Sequence, residues 1–241
     1  MAELPRAILF DLDDTIITTR IRRDQAWADV AAEFAHELQP FAPALLAQAI
    51  RAEAQTFFTD AANAVVWRQS LREARREVVR RAFARLGKSG PASRTALPHR
   101  LADRFSDVQD AAWILSPGAH ETIDELRAGG VRLGLITNGD SMGQRAKVGR
   151  FDLDRRFHHV QIEGEHGFGK PDPRAYRHVL RALEAEPHEA WIVGDNLDWE
   201  VAAPQRLGIH AIWYDPHRDG LPAGHPARPD RVIRALAELL T

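Results

Sequence analysis

Apolar positions fall into two patterns along this chain. Short apolar runs stand at Ala7–Phe10, Trp191–Val193 and Ala211–Tyr214, with a further one at Val131–Ile136 interrupted by Arg132 and Gly134, as expected of strands buried on both faces. From about Arg20 to Phe105 the spacing is helical and no strand signal interrupts it. The pattern there predicts helices over Asp24 to Leu38, Ala44 to Phe58, Ala64 to Leu86 and Pro98 to Asp110, with Pro40, Gly87 and Gly90 as stops. On the third helix Leu71, Ala74, Val78, Ala82 and Leu86 recur at helical spacing, a stripe that needs a partner and implies an insert packed on itself.

After Pro117 helices and strands alternate: helix His120 to Ala128, strand Val131 to Thr137, helix Ser141 to Arg150, strand His159 to Ile162, helix Pro173 to Glu184, strand Trp191 to Val193, helix Trp199 to Leu207 and strand Ala211 to Tyr214. Alternation of this kind requires a parallel sheet with right-handed crossovers. A Pro/Gly-rich loop from Asp215 to Pro229 and a last helix from about Val232 to Leu240 complete the reading. The expected fold class is α/β: residues 1–17 and 116–241 form a parallel-sheet core, and residues 18–115 an all-helical insert.

The strand ends carry the chemistry. Asp11 and Asp13 follow the first apolar run, where open α/β sheets bind ligands at their carboxyl edge. Two carboxylates so close repel unless a cation joins them, although Asp and Thr are equally at home in an acidic turn or a helix N-cap. Thr137-Asn138-Gly139 ends the second strand with groups suited to phosphate oxygens. Lys170 stands in the Gly167–Pro173 loop, and Asp195, Asp198 and Glu200 follow the strand at Trp191 to Val193.

These four segments, in this order, resemble the motifs of the haloacid dehalogenase superfamily of Asp-nucleophile phosphohydrolases. The resemblance covers the first strand and everything from about Pro117 onward. It implies a Rossmann-like core with a helical cap inserted after the first motif, as in phosphoglycolate phosphatase, N-acylneuraminate-9-phosphatase, pyrimidine nucleotidases, β-phosphoglucomutase and haloacid dehalogenase itself. The roles it implies are Asp11 as nucleophile, Asp13 as proton donor and later acceptor, and Lys170 as neutraliser of charge on Asp11 and the phosphoryl group. Thr137, with the backbone amides of Asn138 and Leu12, would bind phosphate oxygens. Mg2+ would be held by Asp11, Asp195 and the backbone carbonyl of Asp13. Glu200 departs from the more common second aspartate of the fourth motif, so Asp198 and Glu200 compete for a supporting place at the metal, with helix N-capping as the plainer reading of Asp198.

Composition narrows the function. A formal net charge of −2 gives no electrostatic support to a nucleic-acid or membrane-surface role, and no apolar run reaches membrane-spanning length. The absence of cysteine excludes disulfides and thiol chemistry. No signal peptide shows, so a cytoplasmic enzyme is expected. Only three of the 32 basic residues are lysine, Lys88, Lys147 and Lys170, which makes a loop lysine conspicuous in a chain that otherwise uses arginine. Arg68, Arg72, Arg75, Arg76, Arg80, Arg81 and Arg85 crowd the third helix. Such a run reads first as a solvated face, with Arg68 beside Trp67 singled out for substrate contact. None of the eleven histidines forms a His-x-x-x-His pair on a helix, so transition-metal binding is not expected, and His158, His159, His217 and His225 read as surface residues.

The function expected is therefore a magnesium-dependent phosphatase acting on a small phosphorylated metabolite, as monomer or homodimer. A phosphomutase of the same fold is the alternative. A dehalogenase is disfavoured by Asp13, because a halide leaves without a proton and an alcohol does not. A non-catalytic module is disfavoured because Asp11, Asp13, Lys170 and Asp195 are all present.

Overall fold

The computed structural model describes residues 4–19, 21–60, 63, 70–87 and 96–241. It divides into two compact units, one of Met1–Thr18 with Ile114–Thr241, the other of Thr19–Trp113.

The first unit is built on a six-stranded sheet in the order β5-β4-β1-β6-β7-β8. The strands are β1 (Ala7–Phe10), β4 (Arg132–Thr137), β5 (His159–Ile162), β6 (Ala190–Gly194), β7 (His210–Tyr214) and β8 (Arg231–Ile233), all paired in parallel. β2 (Ile17–Thr19) and β3 (Trp113–Leu115) form a separate two-stranded sheet. β1 is central, which explains why Ala7-Ile8-Leu9-Phe10 has no polar position: all four are buried, with neighbours on both sides. The Pro173–Ala182 helix buries Ala175, Tyr176, Val179 and Leu180 in one cluster with Leu9, Ile136 and Ile192 of the sheet.

The second unit is helical, with Arg23–Glu33, Ala35–Leu38, Pro43–Thr59, Leu71–Arg85 and Ala96–Ala112 described. Its core gathers Trp27, Val30, Leu46, Ile50, Phe57, Val78, Val79, Phe83, Leu101 and Phe105, and the Trp27 and Phe105 rings stack 3.6 Å apart. Ala74, Val78 and Ala82 of the predicted stripe are buried and Leu86 packs against them, but Leu71 is exposed. The arginine-rich face is matched by acids. Arg72 holds Asp107 and Asp110, Arg76 holds Asp103, Arg80 and Arg81 hold Glu77, and Arg85 holds Glu53, while Arg75 lies over the Phe105 ring with a hydrogen bond to Ser106. Arg68 and Trp67 lie outside the described residues. No helix of the described residues is long and apolar enough to cross a membrane.

Three segments depart from the sequence expectation. The predicted Asp24 to Leu38 helix is broken at Phe34. The predicted C-terminal helix is instead strand β8 and a 3-10 turn at Leu236–Leu240, because the β-branched pair Val232-Ile233 extends the sheet edge beside Trp213 and Tyr214. The segment after β6 begins earlier than predicted, as a π-helical turn at Leu197–Ala202 that runs into Ala203–Gln205. His159 is also not a surface residue: it is half-buried on β5 beside His166 and His178.

Candidate active site

Parallel pairing brings the strand ends to one edge. Phe10 is level with Leu135 of β4 and Val193 of β6, so Asp11 emerges between the ends of those strands, tied by its N–H to the Val193 carbonyl at 2.9 Å. Beyond it the chain folds back at Leu12, whose carbonyl accepts the N–H of Ile16 at 3.0 Å, and Asp14 takes the left-handed conformation that aspartate tolerates. This turn leaves Asp11 buried and Asp13 half-buried, and the Leu12 amide bonds the Asp11 carboxylate.

Lys170 is 1% exposed and placed from both sides of its own loop. Its N–H donates to the Asn138 side-chain carbonyl at 2.8 Å, and the Asn138 amide donates to the Lys170 carbonyl at 2.7 Å, which fixes the loop to the end of β4. Its ammonium bonds the Asp11 carboxylate and lies 2.7 Å from Glu200. Burial disfavours the ammonium, but Asp11 and Glu200 outweigh it and raise the lysine above its ordinary range. Burial raises Asp11 as well, against the pull of Lys170. Glu200, fully buried, is pushed up to about 8 by burial despite Lys170, and Asp195 to about 7 by the protein crowded around it and by the charges of Asp11 and Asp14. Asp195 nevertheless reaches solvent, at the mouth of the site. Asp11 and Glu200 thus meet at one buried ammonium with Asp195 nearby, and the burial and crowding of the three acids, which raise each of them, leave a site with oxygen donors only.

Glu200 depends on two features of the backbone. Its second oxygen accepts the Asn196 N–H at 2.9 Å, and the π-helical turn brings its own N–H to the Asn196 carbonyl at 2.8 Å. Gly194 makes room for it: a Cβ there would stand 2.1 Å from Glu200 Cγ and 3.0 Å from Asp11 Cβ. Asp198 stands apart, exposed, with its carboxylate 3.8 Å from His225. The helix cap expected of it belongs to Asn196, whose side chain accepts the N–H groups of Asp198 and Trp199.

Two residues missed in the sequence complete the group. Lys147 donates to one oxygen of Asp13 at 2.7 Å and Gln144 to the other at 3.0 Å, so both lone-pair faces of that carboxylate are held. Gln144 also reaches Thr137 Oγ1 and the Asn138 carbonyl. The two lie three apart on the Ser141–Arg150 helix, one turn, so they share a face. The rarity of lysine pointed to Lys147 as much as to Lys170, yet a helix position gave no reason to place it at a strand edge.

Acids, a lysine and hydroxyl and amide groups are thus gathered at one edge of a parallel α/β core. The chain belongs to the haloacid dehalogenase-like hydrolase family, whose model matches residues 5–208. It is 39% identical over 125 residues to a phosphoserine phosphatase of Thermus thermophilus, a match covering 52% of this chain and 49% of that protein. The chain spans about half the length of the curated phosphatases it matches. Among solved structures, YfnB from Bacillus subtilis bound to magnesium superposes with a TM-score of 0.69 at 22% identity, over 98% of this chain and 97% of that one. A 2-haloacid dehalogenase from Pseudomonas syringae pv. Tomato gives 0.63 at 25% identity, over 98% of both chains.

Proposed function

We propose that this chain is a magnesium-dependent phosphatase acting on a small phosphorylated metabolite through an aspartyl phosphate on Asp11. The observation that carries the reading is the second acid. Asp13 stands two residues after Asp11 with both oxygens held by Lys147 and Gln144, and an acid in that position serves an alcohol leaving group, not a halide. This separates the proposal from dehalogenation, whose fold the chain shares.

The burial and crowding of acids, which raise Asp195 and Glu200 in the absence of a cation, and the all-oxygen donor set fit Mg2+, which Asp11, Asp195 and the backbone carbonyl of Asp13 would hold. When bound, it supplies positive charge that offsets the phosphate's own and lets one anion approach another. Asp11 then attacks phosphorus, and the bond to the ester oxygen breaks as Asp13 gives that oxygen a proton. In the second half Asp13 takes a proton from water, which attacks the aspartyl phosphate and releases inorganic phosphate and the free Asp11 carboxylate. Lys170 keeps Asp11 oriented and offsets charge on the transferring group. Thr137 and the amides of Asn138 and Leu12 take the phosphoryl oxygens. Glu200 acts through Lys170, whose ammonium it holds in place from 2.7 Å.

The test is phosphate release from a panel of monoesters, with Mg2+ and with chelator, for the wild type and Asp11→Asn. Magnesium-dependent release lost in the variant supports the reading. Undiminished release by Asp11→Asn refutes it, and transfer between sugar positions without net release would make the protein a mutase.

A further inference from the structure

Beside the carboxylate site the fold assembles a second, nitrogen-only cluster. β5, the Glu163–His166 helix and the Pro173–Ala182 helix supply His159, His166 and His178, one donor atom from each lying within 4.8 Å of the other two. The ring centroids are 4.6 Å apart for His166 and His178, 5.0 Å for His159 and His178 and 6.3 Å for His159 and His166. Imidazoles on one tetrahedral ion hold their donor nitrogens about 3.3 Å apart, so closing the cluster takes movements of about 1 Å. The three come from separate elements at irregular spacing, which is why no sequence pattern announces them.

Two further observations point to a ligand. Nε2 of His159 is buried without a hydrogen-bond partner, an arrangement that costs free energy unless something fills it. Nδ1 of His166 lies 3.1 Å from the Ile162 carbonyl, which can only accept, so Nδ1 is the donor and Nε2 is the nitrogen left to face a ligand. Burial holds His159 and His178 below the usual imidazole range, so both carry the neutral form that binds metals. A cleft of about 360 Å³ lined by His159 and His166 gives access. Arg145 lies in the same cleft, but Glu165 engages it at 2.6 and 2.7 Å and offsets its charge.

We propose that His159, His166 and His178 bind a divalent transition-metal ion of the Zn2+ class, with solvent completing its coordination. Three imidazole ligands suit Zn2+ and its neighbours and offer nothing to Mg2+, so this site and the carboxylate site select different ions. The consequence reaches the catalytic loop. The two helices that an ion would join flank Gly167–Asp172, which carries Lys170, and Phe168 of that loop packs 6.0 Å from His166 and 5.8 Å from His178. Occupancy ties both ends of the lysine loop together.

The test titrates the 241-residue chain, stripped by chelator and returned to excess Mg2+, with Zn2+ by calorimetry and with Co2+ by visible absorption. One ion per chain is expected, with Co2+ giving the bands of a four- or five-coordinate site. His178→Ala and the size-conserving His178→Gln should each weaken binding by at least about tenfold, while Asp195→Asn leaves it unchanged. Saturating Zn2+ should raise the melting temperature of the wild type by about 5 °C or more and leave both His178 variants where they were. Absence of stoichiometric binding overturns the proposal and leaves the cluster as packed imidazole rings. So does binding that survives in both variants or is lost in Asp195→Asn, since either places the ion elsewhere.

Discussion

Removing Asp195 should stabilise the metal-free protein at alkaline pH while destroying its use of Mg2+. Without a metal, Asp195 and Glu200 sit at about 7 and about 8, well above the ordinary values of 3.8 and 4.5. An acid raised in this way keeps a proton in the folded state that the unfolded chain has already released. The stability this supplies is complete below about pH 4 and is lost as pH rises through 7 to 8, so the metal-free protein should weaken from pH 5 to pH 8, opposite in sign to an ion-paired carboxylate. Each unit of separation is worth about 1.4 kcal/mol, which sets a ceiling of about 4 kcal/mol for Asp195. Its carboxylate reaches solvent, and screening reduces this to about 1–2 kcal/mol. In chelator at pH 8, Asp195→Asn should therefore melt about 3–6 °C above the wild type, and the difference should close toward pH 5. Thermal denaturation of both proteins in chelator at the two pH values measures it. An asparagine variant no more stable than the wild type at pH 8 would show that the acids are not crowded as described.

Four other outcomes test separate parts of the structure. Lys147→Met should slow formation of the aspartyl phosphate from an alkyl phosphate by about 10–100-fold and from p-nitrophenyl phosphate much less, because only the alkoxide needs a proton from an oriented Asp13; equal losses in the pre-steady-state burst with both esters would remove Lys147 from that role. Gly194→Ala forces a Cβ to 2.1 Å from Glu200 Cγ and should cost about 1–3 kcal/mol in urea unfolding, and an unchanged midpoint would show that Glu200 moves freely. Trp27→Ala removes a ring stacked at 3.6 Å on Phe105 and should cost the helical unit about 3–5 kcal/mol. Arg72→Gln breaks exposed ion pairs and Arg76→Gln a half-buried one, and each should change stability by about 1 kcal/mol or less, with KM for a phosphate ester unaltered; a large rise in KM would return the basic face to the substrate.

What the sequence made legible was whatever depends on short stretches. Ala7-Ile8-Leu9-Phe10 could only be a strand buried on both faces, and the alternation after Pro117 could only close as a parallel sheet, so the α/β class and the strand-edge position of Asp11, Thr137 and Asp195 followed from pattern. Where tertiary context decides, pattern was not enough. Val232-Ile233 reads as helix beside Arg234-Ala235-Leu236, yet the open edge of β7 draws it into the sheet. Asp198 and Glu200 are alike as acids in sequence, and only the winding of the Leu197–Ala202 turn buries one against Lys170 and leaves the other in solvent. Lys147, Gln144 and the three clustered histidines were hidden for a related reason: each meets its partners across separate elements, distant in sequence for Lys147 and Gln144 with Asp13 and successive for the histidines, and no periodicity within one element encodes that meeting.

The glutamate at position 200, where the family motif more often has aspartate, makes physical sense only together with its surroundings. A shorter side chain starting from the same backbone would fall a methylene short of Lys170 and lose its contact with the ammonium. The longer one needs space, which Gly194 leaves open on β6, and an inward backbone, which the π-helical turn provides. Lys170 in turn is locked to Asn138 through paired backbone and side-chain bonds, so the reach of Glu200 fixes the lysine relative to both β1 and β4 before any substrate arrives. Glycine, turn and glutamate therefore act as one unit, and changing any of the three alone should disturb Asp11 through the lysine they jointly hold.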